Sequence, residues 1–378
     1  GDTRITIRGI RSLTGNNQPL LVIDGVPVAL DLISSVAPND VQDISILKSN
    51  AAAILYGQDG ANGAIVVTTK RGNKGKPTVN FSMTAQFDKI SYFPKLQNEF
   101  GSGETEDANG LAVYDFFTNN SMVPLGHPLQ GGQQLFVPYS NIPNERANFF
   151  NTGVTLQTDI SVSGGDEKSR FLVSAQDANI KGVMPKDRNR RTSFRFNGSR
   201  DFNKLSIGFN VNYILQNSNV VNQNRGAFDD IYTSVIKTAG HVPLTSLKDW
   251  RNNPYATADG YYGYFQYNPY MLIDIDRTNT RTHRLIASTE LNYKLSSALS
   301  FTYRLGTTVS IQNQKSQLGA INVSAFTATF KASPWNQNTK ASVSDFSQTL
   351  NRITSEAFLN YRKTYRKFSI DALGGVSV

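Results

Sequence analysis

Apolar and polar residues alternate at every second position through most of this chain, and that period restricts its fold more than any other feature. Because successive side chains of a β-strand point to opposite faces, each such run has one apolar and one polar face. The apolar side of one run comprises Leu299, Phe301, Tyr303, Leu305, Val309 and Ile311. The pattern predicts nine strands, at about residues 78–87, 152–163, 169–178, 191–199, 204–215, 283–295, 299–311, 352–362 and 367–378.

A soluble β-sandwich is the ordinary explanation for such alternation, but two features favour a membrane-spanning β-barrel. The run 299–311 suits a tilted strand that crosses a membrane better than it suits a strand of a globular protein. The connections also alternate between short turns and long segments, as in outer-membrane barrels with periplasmic turns and extracellular loops. The short turns lie at 164–169, 200–204, 296–298 and 362–367, and the long segments at about 88–151, 179–190, 216–282 and 312–351.

Nine strands do not close a barrel of this kind, since bacterial single-chain barrels have even strand numbers. An open edge in lipid would leave backbone groups without hydrogen-bond partners, because no water reaches them there. We therefore expect an all-β, antiparallel transmembrane barrel, of which this chain supplies part. No signal peptide opens the chain, so we interpret it as a piece of a longer protein.

The composition fits this interpretation and argues against several others. Only 39% of the residues are hydrophobic, the mean hydropathy is −0.34, and no long apolar run predicts a membrane helix. The chain has no cysteine, so no disulfide or thiolate chemistry is expected. Its net charge of +9 is spread over scattered Lys and Arg residues, and we predict no nucleic-acid partner. The histidines, His127, His241 and His283, are far apart, so we predict neither a metal site nor a cofactor.

Residues 18–71 follow a different pattern, that of a small α/β unit. Residues 20–23 form a short apolar run before an Asp24-Gly25 turn signal, and a β-branched run at 64–69 predicts a return strand. Between them, helical spacing from Val41 onward and three alanines predict one helix. We expect Asn39 or Asp40 to cap this helix, Tyr56-Gly57 to end it, and Gly60 and Gly63 to form the following turn.

The sequences QPLLVIDGVPV at 18–28 and DVQDISILKSNAAAILYGQDGANGAIVVTTKRG at 40–72 resemble the plug domain of TonB-dependent outer-membrane transporters, and most of all that of the SusC/RagA family. The resemblance continues in the strands, at ISVSGG (160–165), Arg170-Phe171, Gly182 and Arg190-Arg191. It implies an incomplete plug domain over 1–76 and the N-terminal part of a barrel with long extracellular loops over 77–378. A lumen able to hold a folded plug belongs to the 22-stranded class, of which this chain would supply about nine strands.

The function that this resemblance implies is active import across the outer membrane of a Gram-negative bacterium. TonB would act through a box outside this chain, and a SusD-like surface lipoprotein would cover the extracellular loops. The cargo would be an oligomeric nutrient, an oligosaccharide or an oligopeptide, and the barrel would contact outer-membrane lipid. No catalytic residue is expected, because such transport requires no covalent chemistry.

The resemblance also implies the residues of the plug motif, which are Arg8, Asp24, Gly25, Lys48, Tyr56, Gly57, Gly60 and Gly63. Arg8 and Lys48 stand where related plugs carry basic residues that pair with acidic groups of the inner barrel wall. The alternative is that both are ordinary solvated charges.

The segment 255–270, YATADGYYGYFQYNPY, is rich in aromatic residues. Aromatic faces stack on sugar rings and pack on peptide side chains, so this segment is a candidate contact for substrate or for the lipoprotein lid. The alternatives are a small hydrophobic core within the loop and an aromatic girdle at the membrane interface. The candidate residues are Tyr261, Tyr262, Tyr264, Phe265 and Tyr267.

Other functions receive less support from the sequence. A ferric-siderophore or haem receptor on the same scaffold is one alternative, and a non-transporting adhesin or glycan-binding protein is another. Ser45 and Lys48 match the S-x-x-K signature of serine acylases, but its partner motifs are missing. Asp274 and Asp276 are two oxygen donors of a calcium site for which we identify no further ligands.

Overall fold

The computed structural model describes residues 5–7, 17–30, 33, 36, 40–90, 93–95, 98–100, 105–106, 112–113, 117, 122–222, 231–263, 267–330, 338–366 and 368–378. Its strands are β1 (Leu20–Ile23), β2 (Val26–Val28), β3 (Val41–Leu47), β4 (Ala64–Thr69), β5 (Gly75–Asp88), β6 (Thr105–Glu106), β7 (Ala112–Val113), β8 (Met122–Leu125), β9 (Leu135–Pro138), β10 (Gly153–Gly165), β11 (Ser169–Lys181), β12 (Arg188–Phe202), β13 (Leu205–Val221), β14 (Asp276–Lys294), β15 (Leu299–Leu318), β16 (Ser342–Tyr365) and β17 (Phe368–Ser377). Its α-helices are α1 (Ser49–Tyr56), α2 (Ile231–Lys237), α3 (Pro269–Ile275) and α4 (Ala325–Phe330).

The plug, by which we mean β1–β4 with α1, is a four-stranded sheet in the order β2-β1-β4-β3. β1 runs parallel to β4, and the other two pairs are antiparallel. Burial of apolar side chains stabilises this unit, since each removes its surface from water. The buried cluster consists of Leu21, Ile23, Val26, Val28, Val36, Ile65 and Val67 of the plug together with Ile286 of β14.

The predicted helix starts too early, because residues 41–47 form strand β3 and α1 begins only at Ser49. Ile44 pairs with Val67 and Ile46 with Ile65, so β3 gains backbone hydrogen bonds along the edge of β4 that a helix could not supply. The predicted helix cap is also wrong for Asp40, whose carboxylate accepts a hydrogen bond from the Ser174 hydroxyl of β11 instead. Asn39 lies outside the described residues.

The wall, by which we mean the nine-stranded sheet, has the order β17-β16-β15-β14-β13-β12-β11-β10-β5. All eight neighbouring pairs are antiparallel, and all nine predicted strands are confirmed. The strands extend further toward the long connections than the alternation predicts, so those connections shrink to 182–187, 222–275 and 319–341. In these extensions both faces carry polar residues, so the sequence shows no alternation there. The structure nevertheless shows paired backbones.

The two faces of the wall differ as the alternation predicts. On β15, Phe301, Leu305 and Ile311 are more than a third exposed, whereas Thr302 and Thr308 are buried. Gly306 lies on the face with these threonines, and a Cβ at that position would be 2.9 Å from Cγ2 of Val26 in the plug. The plug therefore packs on the polar face, and the apolar series points away from it, as predicted.

Several of the long connections pack together at one end of the wall, and we call residues 122–150 and 231–275 the outer loop module. One buried cluster joins Phe149 to α2 and α3, and a second joins β8 and β9 to residues 242–261. Within the described part of the chain, no helix is both long and apolar enough to cross a membrane.

Candidate functional site at the contact between plug and wall

The turn between β1 and β2 presents an acidic group to the wall. Asp24 and Gly25 form this turn with φ angles of 49° and 85°, a left-handed conformation that Asp-Gly pairs tolerate. The Asp24 carboxylate accepts hydrogen bonds from the amide of Thr69, at 2.9 Å, and from the hydroxyl of the same residue. Strand β4 therefore fixes the orientation of the Asp24 carboxylate, which faces the wall.

That partner is Arg195, which points from β12 toward the plug. Its Nη2 donates to Oδ2 of Asp24 over 3.2 Å, and its Nη1 donates to the carbonyl oxygen of Asp40 over 3.5 Å. The Asp40 carboxylate lies 4.0 Å from the same guanidinium. The side chains of Arg195 and Asp24 are only 4% and 6% exposed, so one buried cation joins two acidic groups of the plug to the wall.

The enclosed position of Asp40 changes the pKa of its carboxyl group. Burial raises the pKa of its carboxyl above the ordinary value, although Arg195 and the hydrogen bond from Ser174 oppose the shift. The group consequently retains a proton more readily than an exposed aspartate. Within this contact, ionisation of Asp40 is therefore costly.

A second group of wall residues lies against the same turn. Arg304 of β15 bonds to Glu290 at 2.7 Å and to Glu356 at 2.9 Å, so its charge is neutralised within the wall. A Cβ on Gly25 would come within 3.0 Å of this guanidinium, and the left-handed backbone there also favours glycine. Gly25 therefore allows the hairpin to approach the wall closely.

A polar cleft of about 790 Å³ lies between plug and wall beside these contacts. From the plug it is lined by Asp40, Gln42, Lys70 and Arg71, and from β10 and β11 by residues that include Asp159, Ser161, Arg170 and Gln176. Both signs of charge face the cleft, and polar groups there exchange protein partners for water at a modest net cost. Part of the boundary between plug and wall is therefore open and hydrophilic.

The remaining glycines of the predicted motif shape the plug itself. Gly57 ends α1 with φ at 61°, and Gly63 adopts φ at 93° before β4. A Cβ on Gly60 would lie 2.4 Å from the carbonyl oxygen of Ala52, so the turn packs directly on α1. Tyr56 lies at the end of the same helix, where burial raises the pKa of its hydroxyl.

The predicted basic residues of the plug are not among the contacts found. Lys48 is exposed and makes no ion pair within the described residues, and Arg8 lies outside them. The pairs made by Asp24, Asp40 and Asp59 have the opposite polarity, with acids on the plug and arginines on the wall; Asp59 pairs with Arg352 at 2.8 Å in an exposed position. Lys74, which follows β4, pairs with Glu167 of a short wall turn at 2.6 Å and is an exception. Sequence reasoning missed Arg195, although an arginine on the polar face of a strand was a signal for it. The pairing of Arg8 and Lys48 stays a prediction.

The aromatic segment contributes to the interior of the outer loop module. Tyr261 is 1% exposed in the second buried cluster, where Tyr262 packs on it with ring centroids 4.8 Å apart. Tyr267 packs against the first cluster. Tyr264 and Phe265 lie outside the described residues. The described rings match the predicted small hydrophobic core, and substrate contact by this segment stays a prediction.

In the outer loop module, the carboxylate of Asp274 accepts hydrogen bonds from several side chains. The donors are the Trp250 indole at 3.0 Å, Arg251 at 2.7 Å and Lys186. Burial acts to raise the pKa of Asp274, but these three hydrogen bonds together lower it. Three protein donors from two parts of the chain therefore meet at this one carboxylate.

Comparison with known proteins agrees with this architecture. A family model for the TonB-dependent receptor plug domain matches residues 1–64. TonB-dependent receptor P39 of Formosa agariphila is 26% identical over 396 residues, covering 100% of this chain and 33% of that relative. SusC of Bacteroides thetaiotaomicron, a TonB-dependent receptor, is 25% identical over 220 residues, covering 56% of this chain and 20% of SusC.

A solved structure shares the fold over nearly the whole chain. The RagAB peptide importer in its open–open state matches with a TM-score of 0.75 at 17% identity, covering 99% of this chain and 42% of that one. The present chain spans only about a fifth to a third of the length of its curated relatives.

A small plug packed on the polar face of a long-stranded antiparallel wall defines a plugged outer-membrane β-barrel. Residues 1–64 match the plug domain of TonB-dependent receptors, and the chain is similar to part of a SusC/RagA-family TonB-dependent transporter. Its location is the outer membrane of a Gram-negative bacterium.

Proposed function

We propose that the protein imports nutrient oligomers across the outer membrane by a TonB-dependent displacement of its plug. The observation that carries this proposal is the polar character of the contact between plug and wall. Asp24 and Asp40 meet Arg195, and Asp59 meets Arg352. Among the residues that the structure describes, Ile286 is the one wall residue in the buried apolar cluster of the plug.

Such a contact suits a part that must move and return. An apolar interface resists separation because all of its surface must enter water together, at about 25 cal/mol for each Å². Ion pairs and hydrogen bonds can instead be exchanged for bonds to water, and the adjoining cleft of about 790 Å³ gives water access. A mechanical pull from the periplasmic side then has few apolar contacts to overcome.

The partners and the cargo follow from the family. TonB would supply the pull through a segment outside this chain, and a SusD-like surface lipoprotein would deliver cargo to the long loops. Oligosaccharides and oligopeptides both remain candidates for the cargo, since one structural neighbour is named a peptide importer. Growth of a deletion strain on a panel of glycans and peptides as sole nutrients would identify the class.

A reversible cross-link between plug and wall tests the movement directly. A Cβ at position 306 would lie 3.5 Å from Cβ of Val26, within the range of about 3.5–4.5 Å found in disulfides. The chain has no cysteine, so Val26→Cys with Gly306→Cys creates one thiol pair without competing bridges. We expect oxidation to abolish uptake of labelled oligomer in cells that produce this variant, and a reductant to restore it.

The two single-cysteine variants are the matched controls, and both should transport equally with and without oxidant. Capture of cargo at the cell surface should persist in the oxidised double variant, because the outer loops are untouched. Equal uptake by the oxidised and reduced double variant would show that the plug need not leave the wall, and the proposed mechanism would then be wrong.

A further inference from the structure

The outward face of the wall carries a group of cations where the strands approach the long loops. We call Arg188, Arg190, Arg281 and Lys315 the basic band, and they line a groove of about 730 Å³ across β11–β16. The backbone pairing places Arg190 in register with Asn217, Asn217 with Arg281, and Arg281 with Asn313. Four adjacent strands, β12 to β15, therefore present one continuous polar surface.

The parity of the strands places this surface on the side away from the plug. Arg188 and Arg190 share the face of β12 with Phe194 and Phe196, whereas Arg195 points to the plug. On β15, Lys315 follows the exposed apolar series in the same period of two. The basic band consequently lies on the face that elsewhere contacts lipid.

The position of the basic band along the strands matches the edge of the membrane. The apolar series on β15 runs from Phe301 to Ile311, which at about 3.3 Å per residue and a tilt near 40° spans roughly 25 Å of height. This equals the height of the apolar band of outer-membrane barrels. Asn313 and Lys315 come next, so the basic band lies where lipid head groups begin.

The chemistry of the groove favours an anion with several oxygen acceptors. Two carboxylates lie near the cations: Asp177 accepts from Arg190 at 3.0 Å, and Asp345 lies 4.0 Å from Lys315. Neither carboxylate forms an ion pair with Arg188 or Arg281 within the described residues. Amide donors fill the space between the charges, at Asn217, Asn219, Asn279 and Asn313.

We propose that the basic band binds the phosphorylated head group of a lipid in the outer leaflet. The apolar rows below the groove would contact the acyl chains, while the guanidinium and ammonium groups would contact phosphate oxygens. Arginine suits this role because its planar fork matches phosphate geometry. The site differs from the transport pathway, which lies on the opposite face of the same strands.

The test uses the purified full-length protein in detergent and lipid A as the probe. A double variant, Arg281→Gln with Lys315→Gln, removes two cations of the basic band. The matched control, Arg200→Gln with Lys363→Gln, removes two outward cations near the opposite, short-turn end of the wall. We expect the first variant to bind lipid A about thirtyfold more weakly, at roughly fivefold for each cation near a membrane surface. The control variant should bind like the parent protein.

Two further probes distinguish a lipid site from a general anion site. Dephosphorylated lipid A should bind the parent protein as weakly as it binds the double variant, and millimolar inorganic phosphate should not displace lipid A. Equal affinity of the two double variants, or retention of the dephosphorylated lipid, would overturn the proposal, as would displacement by phosphate. Thermal unfolding of all variants checks that the barrel is intact.

Discussion

The two faces of β12 show how one strand serves two different surroundings. Phe194 and Phe196 point outward with 56% and 36% of their surface exposed, whereas Arg195 between them has a side chain only 4% exposed. The outward residues need an apolar medium, and the inward residue needs a charged partner, which the plug supplies. The comparison shows that any apolar side chain suits the outward face, whereas the inward face needs particular residues that pair with the plug. The cost of a substitution on the outward face should therefore depend on how deep the residue lies in the membrane. The cost of a substitution on the inward face should depend on which partners it loses.

Arg195→Ala should have the largest effect, because it leaves Asp24 and Asp40 without their common cation. Breaking a buried ion pair by removing one partner costs about 3–5 kcal/mol. We expect hydrogen exchange at the backbone amides of residues 21–23 to accelerate by at least two orders of magnitude as the plug loosens.

Arg352→Ala is the matched control for that experiment, because its pair with Asp59 is exposed. Exposed pairs contribute about 0–1 kcal/mol, so exchange should change less than tenfold. If both variants accelerated exchange equally, burial of the Arg195 pair would have no special role in docking the plug.

Leu305→Arg should come next, with a cost of about 2–4 kcal/mol for an arginine facing lipid near mid-membrane. Gln312→Arg places the same charge on the opposite, polar face of the same strand and should cost much less. Urea unfolding of the barrel in lipid vesicles measures both. A larger cost for the Gln312 variant would reverse the assignment of the two faces.

The smallest effect concerns pH and the Asp40 carboxyl. Since burial raises its folded pKa above the unfolded value of about 4, the docked plug binds this proton more tightly than the free plug does. The docked plug should therefore lose stability as the pH rises from about 4 through the raised pKa, with no further loss above it.

Asp40→Asn should remove this pH dependence, and Asp59→Asn, at an exposed position, should leave it unchanged. Hydrogen exchange at residues 21–23, corrected for the intrinsic effect of pH, gives the profile. A profile unchanged in the Asp40 variant would assign the dependence to another group.

The sequence predicts the wall well because one face of each strand contacts lipid and the other faces the polar interior over many residues. This produces a long and recognisable alternation. The sequence predicts β3 badly for a physical reason: Val41, Ile44 and Leu47 fit the spacing of a helix, although Ile44 and Ile46 also fit that of a strand. Only the pairing with β4, 17 to 28 positions further along the chain, decides between the two. Tertiary contacts of this kind leave no local signal.

The sequence predicted the plug side of the candidate site but not the wall side. Asp24 and Gly25 stood out through the plug motif, but the partner of Asp24 lies 171 positions along the chain. Alternation indicates which side of β12 is polar without saying which polar residue meets the plug. The polarity of the contact, with acids on the plug, follows from three-dimensional placement alone.

The missing side chain at Gly306 also determines where the plug is seated. Its neighbours on the same face of β15 are Arg304 and Thr308, both larger, and Val26 occupies the space that a Cβ at 306 would need. Sliding the hairpin by one step in either direction would bring Val26 against one of those side chains. Shape exclusion therefore acts together with the ion pairs to define the depth of the plug. If the plug leaves the wall as proposed, the fit of Val26 over Gly306 gives it a defined position to which it can return.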